Sequence, residues 1–215
     1  MLVLGVVDII GTVAFAVSGI LVGIRNKLDL FGIYVLAMIT ASGGGIIRDV
    51  VIGRNIPVFF TEWKYFAAIT ASMVVTCLLY RFVNRIISVI ILFDAIGLGV
   101  FTVTATYTAI EYGLPPLGVV FAGVITGVGG GIMRDILVNE IPLIFRSEIY
   151  AIPSIIGSVL FYVLYRKINI SINTYVCIAV ILIIRMVAVR FGLNLPVLSK
   201  NGRVDRTGGR NSFKL

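Results

Sequence analysis

The chain consists of long apolar stretches that alternate with short polar connections. A helix that spans a bilayer needs roughly 20 predominantly apolar residues, and seven stretches meet this requirement. The pattern therefore predicts an all-α integral membrane protein with seven transmembrane helices. We number them one to seven, and their expected bounds are Leu2–Ile24, Leu30–Ile52, Trp63–Phe82, Ile87–Ala109, Leu117–Val138, Ile149–Tyr165 and Tyr175–Phe191.

An internal repeat organises the first six helices. At a shift of 86 residues, Asp8-x-Ile10-Gly11 recurs as Asp94-x-Ile96-Gly97, and the eleven residues 39–49 match 125–135 with eight identities. After one deleted residue, the shift becomes 85. The domain assignment is a first three-helix repeat at 1–86, a second repeat at 87–170, a seventh helix at 171–192 and a basic tail at 193–215, which we expect to be disordered.

The odd number of helices in each repeat determines how the two copies are oriented. Three spans force the second copy to enter the membrane from the opposite side, so the repeats are inverted. This architecture is typical of transporters and permeation proteins, whose sites lie near the midplane between the repeats.

Three consecutive glycines lie within helix two and within helix five. Each glycine costs roughly 1 kcal/mol relative to alanine in a helix interior. One interpretation is close packing, as in the motif Gly19-x-x-x-Gly23. The interpretation we favour is a broken helix whose free carbonyls line a water-filled cavity. The residues concerned are Gly43, Gly44, Gly45, Gly129, Gly130 and Gly131.

Charged residues also lie inside the predicted spans. Such charges usually mark an ion or substrate pathway, although they can also only hold helices together. From their depths, we expect the pairs Asp8–Arg48 and Asp94–Arg134, one near each end of the pathway. Sequence neighbours do not face each other on a helix. We therefore do not expect Arg48 and Asp49 to form a self-contained pair, which leaves Asp49 and Asp135 as candidates for attracting cations.

Arg185 in helix seven has no equivalent in the repeats. Two interpretations stay open: it holds helix seven to a carboxylate of the repeats, or it contacts a lipid phosphate.

Overall composition agrees with a single membrane domain. Of the 215 residues, 59% are hydrophobic and 13% are charged, whereas soluble domains are about 45–50% apolar and about 25% charged. Much of the net charge of +8 lies in the tail. We expect this tail to lie against anionic lipid headgroups rather than nucleic acid.

The positions of the basic residues predict the orientation of the chain. Basic residues near span ends are concentrated on the side that holds the C-terminus. Cytoplasmic segments carry this excess, so we expect a cytoplasmic C-terminus and an N-terminus outside the cell membrane.

Several classes of chemistry are excluded. The chain has no histidine, which removes Ser-His and Cys-His catalysis and imidazole metal sites. Cys77 and Cys177 lie in apolar runs without a CxxC spacing. We therefore expect no enzyme activity, no cofactor and no metal site.

The doubled motif Gly-Gly-Gly-x-x-Arg-Asp, in a protein with three, three and one spans, resembles the prokaryotic branch of the trimeric intracellular cation (TRIC) channel family. The resemblance covers roughly residues 1–192. It implies a homotrimer with one pore per subunit that conducts K⁺ and also Na⁺. It places the pore at the two glycine triplets and the adjacent Arg48, Asp49, Arg134 and Asp135.

The resemblance leaves a second function open, and it does not extend to the regulation of the animal members. Prokaryotic relatives are also described as glycine transporters, so a carrier of a small amino acid stays an alternative. Animal members have lysine near the helix-two motif, where this chain has Arg48. The lipid and calcium regulation of those members is therefore not implied here.

Overall fold

The computed structural model describes residues 2–83, 85–145 and 149–193, together with the backbone of 197–198 and 204–205. Within these residues, seven helices have 13 residues or more. They are α1 (Leu2–Arg25), α2 (Leu30–Val51), α3 (Trp63–Leu79), α4 (Ile86–Glu111), α5 (Pro116–Leu137), α6 (Ile152–Leu164) and α7 (Ile170–Phe191).

Shorter elements lie in the connections and the tail. A short helix, Val58–Thr61, precedes α3, and 3₁₀ turns occur at Tyr80–Phe82 and Leu143–Phe145. In the tail, β1 (Val197–Leu198) pairs antiparallel with β2 (Val204–Asp205). The rest of the tail predicted to be disordered lies outside the described residues.

Six of the helices are long and apolar enough to cross a membrane, and α6 is shorter. The predicted sixth span, Ile149–Tyr165, corresponds to α6, which is shorter than its predicted bounds. The helix has 13 residues, and at 1.5 Å per residue it covers about 20 Å of a core about 30 Å thick. Helix α7 begins five residues before the predicted Tyr175, at Ile170.

The first two helices of each repeat end in the same way. A residue with positive φ follows each of them: Lys27, Gly53, Gly113 and Asn139. In each case the next backbone N–H donates to a carbonyl five residues earlier, as in Arg54 to Asp49 and Glu140 to Asp135. These are Schellman-type ends, which glycine and asparagine favour because both tolerate the left-handed conformation.

Two contacts between connections show the inverted arrangement of the repeats. Arg25 at the end of α1 forms an ion pair with Glu140 after α5, at 3.8 Å. Arg54 after α2 donates to the Tyr112 hydroxyl after α4, at 2.9 Å. The ends of α1 and α5 therefore share one side of the bundle, and the ends of α2 and α4 share the other side.

Helices α1, α2, α4 and α5 form the centre of the bundle. The repeat-related Phe15 and Phe101 are buried there, with ring centroids 5.3 Å apart. Helix α3 packs on α1 and α2, whereas α6 packs on α4 and α5. Helix α7 covers α4 and α6. The repeats thus meet through their first two helices, and the candidate site lies among these.

Candidate ion pathway

Helices α2 and α5 run as continuous α-helices through their glycine triplets. The predicted helix breaks are therefore wrong. The glycines instead allow the two backbones to touch: a Cβ at Gly44 would collide with the Thr126 carbonyl oxygen, and one at Gly130 would collide with the Thr40 carbonyl oxygen. The packing interpretation of these glycines explains the structure, because only residues without a side chain permit so close a crossing.

A group of polar residues, which we call the first cluster, surrounds Asp8. Arg48 Nη1 lies 4.0 Å from Asp8 Oδ1. The Tyr65 hydroxyl donates to Asp8 Oδ2 at 2.6 Å, and Thr104 Oγ1 donates to Asp8 Oδ1 at 3.1 Å. The Asp8 carboxylate is thus held by helices α1, α2, α3 and α4 together, and the predicted Asp8–Arg48 pair is present.

The first cluster faces a cleft of about 290 Å³, measured with the space at its open end. The side chains of Asp8 and Arg48 are 13% and 8% exposed. Opposite charges therefore line the wall of this cleft. The lining residues are Asp8, Thr12, Ala41, Ser42, Gly45, Arg48, Asp49, Val58, Phe59, Tyr65 and Phe101.

A repeat-related group, the second cluster, surrounds Arg134 at the opposite end of the bundle. Arg134 Nη1 lies 2.7 Å from Asp94 Oδ1, which confirms the second predicted pair. The same nitrogen donates to Ser18 Oγ at 2.6 Å. Both charged side chains are only 2% exposed. The second cluster is therefore more tightly paired and more deeply buried than the first.

The two arginines also bind the carboxylates that follow them in the sequence. Arg48 Nε donates to Asp49 Oδ1 at 2.9 Å, and Arg134 Nε donates to Asp135 Oδ1 at 2.9 Å. Neither contact is a self-contained pair, as predicted, because Arg48 also lies near Asp8 and Arg134 also binds Asp94, but the direct contact between sequence neighbours was not expected. A guanidinium on a flexible three-carbon stem reaches around the helix, which the side-chain spacing rule for helix faces does not take into account.

Each of these carboxylates also anchors the segment after its helix. Asp49 Oδ2 accepts the backbone N–H of Val58 at 2.8 Å, and Asp135 Oδ2 accepts that of Leu143 at 3.1 Å. Val58 and Leu143 are repeat-related at the shift of 85. Asp49 and Asp135 therefore fix the connections that follow α2 and α5.

Arg185 of α7 is buried beside the second cluster. Its guanidinium lies 4.7 Å from the centroid of the Tyr150 ring, and its Nη1 lies 3.4 Å from the Ile149 carbonyl oxygen. The residue is 1% exposed. The lipid-phosphate interpretation is therefore wrong, and Arg185 holds α7 to the segment that precedes α6.

Four functional candidates were missed by the sequence reasoning. Tyr65 and Tyr150 are repeat-related, as are Ser18 and Thr104, and all four contact or adjoin the charged clusters. A signal was available: the shift of 86 aligns Ser18 with Thr104, two hydroxyl residues inside apolar helices.

Comparison with known proteins gives a family match and close relatives. A family model described as glycine transporter matches residues 5–81 and 91–166. The UPF0126 inner membrane protein YadS of Escherichia coli (strain K12) is 40% identical over 203 residues, covering 91% of this chain and 97% of the relative.

Solved structures share the fold. A prokaryotic TRIC channel crystallised in 0.5 M KCl is 32% identical, with 90% of this chain and 99% of that chain covered and a TM-score of 0.85. The TRIC trimeric intracellular cation channel orthologue from Rhodobacter sphaeroides is 31% identical, with 90% and 100% covered and a TM-score of 0.85.

Proposed function

Since this chain belongs to the glycine transporter family and has the fold of the prokaryotic TRIC channels, we propose that it is a channel for monovalent cations. It conducts K⁺ and also Na⁺, through one pore in each subunit of a homotrimer. The N-terminus lies outside the cell and the C-terminus in the cytoplasm. The observation that carries the proposal is the match to solved cation channels over 90% of the chain.

The cleft at the first cluster supports entry of a cation. Asp8 is the most exposed of the paired intramembrane carboxylates, and hydroxyls of Tyr65 and Thr104 hold it in place. A carboxylate fixed in a cleft attracts cations while its hydrogen bonds keep it from binding one permanently. Asp8 therefore serves as the entry site for the ion.

The remaining intramembrane charges shape the pathway in this proposal. Arg48 and Arg134 limit the negative potential at the two ends, since each lies between two carboxylates. The glycine triplets determine how closely α2 and α5 approach at the centre. Permeation then requires these helices to move apart at the crossing.

A carrier of a small amino acid such as glycine is the second candidate. Asp8 and Arg48 present opposite charges 4.0 Å apart on the wall of one cleft. This arrangement fits the ammonium and carboxylate groups of a zwitterion. The description of the matched family points the same way.

Single-channel recording in a planar bilayer under a KCl gradient distinguishes the two candidates. We expect discrete current steps that reverse near the K⁺ equilibrium potential. Asp8→Asn should lower the unitary current, whereas Asp29→Asn, which changes an exposed helix-capping carboxylate, should leave it unchanged. A silent bilayer together with uptake of labelled glycine into proteoliposomes would overturn the channel and support the carrier.

A further inference from the structure

Four hydroxyl residues form a column in the second repeat, which we call the hydroxyl track. Thr102 and Thr106 lie one turn apart on α4, and Ser154 and Ser158 lie one turn apart on α6. All four are fully buried or nearly so. Residues four apart share a helix face, so the two hydroxyls of each pair lie on the same face of their helix.

Glycines of α5 provide the space that these oxygens occupy. A Cβ at Gly123 would collide with the hydroxyls of both Thr106 and Ser158, which lie 2.9 Å from each other. A Cβ at Gly127, one turn further along, would collide with Thr102 Oγ1. Helices α4, α5 and α6 therefore meet along the hydroxyl track.

The hydroxyl track leads to the second cluster. One turn beyond Gly127, a Cβ at Gly131 would lie 2.7 Å from the Tyr150 hydroxyl and 3.4 Å from Asp94 Oδ1. Tyr150 lies four residues before Ser154, in the segment that precedes α6, and Asp94 lies two turns before Thr102 on α4. From Asp94 to Thr106 the polar column covers twelve residues, or about 18 Å at 1.5 Å per residue.

Three hydroxyls in this column have no hydrogen-bond partner among the described residues: those of Thr102, Tyr150 and Ser154. An unpaired buried polar group costs on the order of 1–3 kcal/mol. Elsewhere in the bundle, threonines avoid this cost by donating to the carbonyl four residues earlier, as Thr40 and Thr126 do. The unpaired oxygens therefore require an explanation beyond helix packing.

The first repeat shows that the fold does not need these hydroxyls. The positions related to Thr102, Thr106, Ser154 and Ser158 are all apolar, and the two glycines are replaced by alanines. The related residues, in that order, are Ala16, Ile20, Ile69, Met73, Ala37 and Ala41. Most of these belong to the apolar core of the first repeat. The same helix arrangement is thus built with apolar residues at these positions in one copy and with hydroxyls at all four in the other.

We propose that the hydroxyl track is a hydrated binding path for monovalent cations that leads from the second cluster through the middle of the membrane. Neutral hydroxyl oxygens replace part of the water shell of K⁺ or Na⁺ and bind weakly enough to release the ion. Unpaired oxygens in a protein interior accept water or a cation at little further cost. The proposal rests on the proposed cation conduction, and it assigns that conduction a route in the second repeat.

Cysteine accessibility in liposomes tests this route with controls supplied by the repeat. In a Cys77→Ala, Cys177→Ala background, Thr102→Cys and Ser154→Cys are compared with Ala16→Cys and Ile69→Cys at the related positions. The probe is Ag⁺, a monovalent thiol reagent that resembles K⁺ in size. Loss of free thiol is measured by mass spectrometry after labelling of the unfolded protein with maleimide. Ser42→Cys in the cleft is the positive control.

We expect Ag⁺ to react with the thiols at 102 and 154 and so to block their labelling with maleimide. High K⁺ should slow this reaction several-fold. The thiols at 16 and 69 should stay free to react with maleimide. Equal reaction at all four positions, or reaction at 42 alone, would overturn the proposal. This readout does not depend on current. If the bilayer recording showed no current but the thiols at 102 and 154 reacted with Ag⁺, the proposed channel would be refuted and the proposed cation path would be retained.

Discussion

At the scale of single residues, the glycines of α2 differ in what surrounds them. An added Cβ at Gly44 would meet the backbone of α5, whereas one at Gly45 would have no atom within 4 Å. The absence of a side chain therefore matters for the contact with α5 at Gly44 but not at the adjacent Gly45. Gly44 and its counterpart Gly130 are the triplet glycines at which an added Cβ would collide with the backbone of the other helix.

Gly44→Ala and Gly130→Ala should each lower the free energy of unfolding by about 1–3 kcal/mol, because neither neighbouring carbonyl can move without shifting a helix. Gly45→Ala is the matched control. It should be neutral or stabilising by up to about 1 kcal/mol, since alanine is the better helix former. Unfolding in detergent, followed by circular dichroism, measures all three. Equal stability of the three variants would contradict the close crossing.

Single residues also show where sequence reasoning succeeds. The pairs Asp8–Arg48 and Asp94–Arg134 followed from the depth of each charge and from the cost of leaving it unpaired in a membrane. The contact of Arg48 with Asp49 did not follow, because it depends on the rotamer of a long side chain. Such a rotamer is selected by the surrounding helices and not by sequence spacing.

At the scale of elements, α7 is the helix without a repeat-related partner. It packs on α4 and α6, and Arg185 joins it to the segment before α6. Among the residues that the structure describes, only the second repeat has a helix packed over it in this way. The tighter burial of the second cluster relative to the first is consistent with this additional helix.

Arg185→Met should weaken the attachment of α7. A desolvated cation–π contact contributes about 2 kcal/mol or more, and methionine retains the apolar volume without the charge. We expect faster hydrogen exchange in α6 and α7 and a lower melting temperature. Arg190→Met, in the exposed last turn of α7, is the control. Unchanged exchange in the Arg185 variant would show that the helix is held by its apolar face alone.

The bounds of most elements could be predicted because long apolar runs end where charges and turn formers begin. Helices α1 and α2 match their predicted spans to within one residue at each end. The exceptions are α6, where the apolar run Ile149–Tyr165 continues past the residues that form a helix, and α7, which begins five residues before the predicted Tyr175. Hydropathy reports which residues avoid water, and it does not report where helical hydrogen bonding starts.

At the scale of the whole molecule, the two repeats are alike in fold and unlike in polarity. The first has a polar cluster open to a cleft and apolar residues at the positions related to the hydroxyl track, whereas the second has a buried cluster and the hydroxyl track itself. Inverted repeats thus give the two sides of the bundle different access to ions. Directional behaviour, such as rectification of current, is compatible with this difference.

Assembly is tested at the same scale. We expect native mass spectrometry in detergent to give a mass of three chains of 23.3 kDa each, since each subunit of the proposed channel encloses its own pore within a trimer. Asp8→Asn, which changes a residue inside the subunit, should leave this mass unchanged. A single-chain mass under mild activation would contradict the proposed homotrimer.

The sequence by itself determined the membrane class, the inverted repeat and the two cross-helix ion pairs. Each depends on hydrophobicity, periodicity or the cost of an unpaired charge, and these are properties of residue types at known spacings. Only the tertiary structure decided that α2 and α5 are continuous and touch at their glycines, that Arg185 packs on Tyr150, and that buried hydroxyls line up across α4 and α6. These features depend on distances between helices, which packing sets and which linear spacing does not contain.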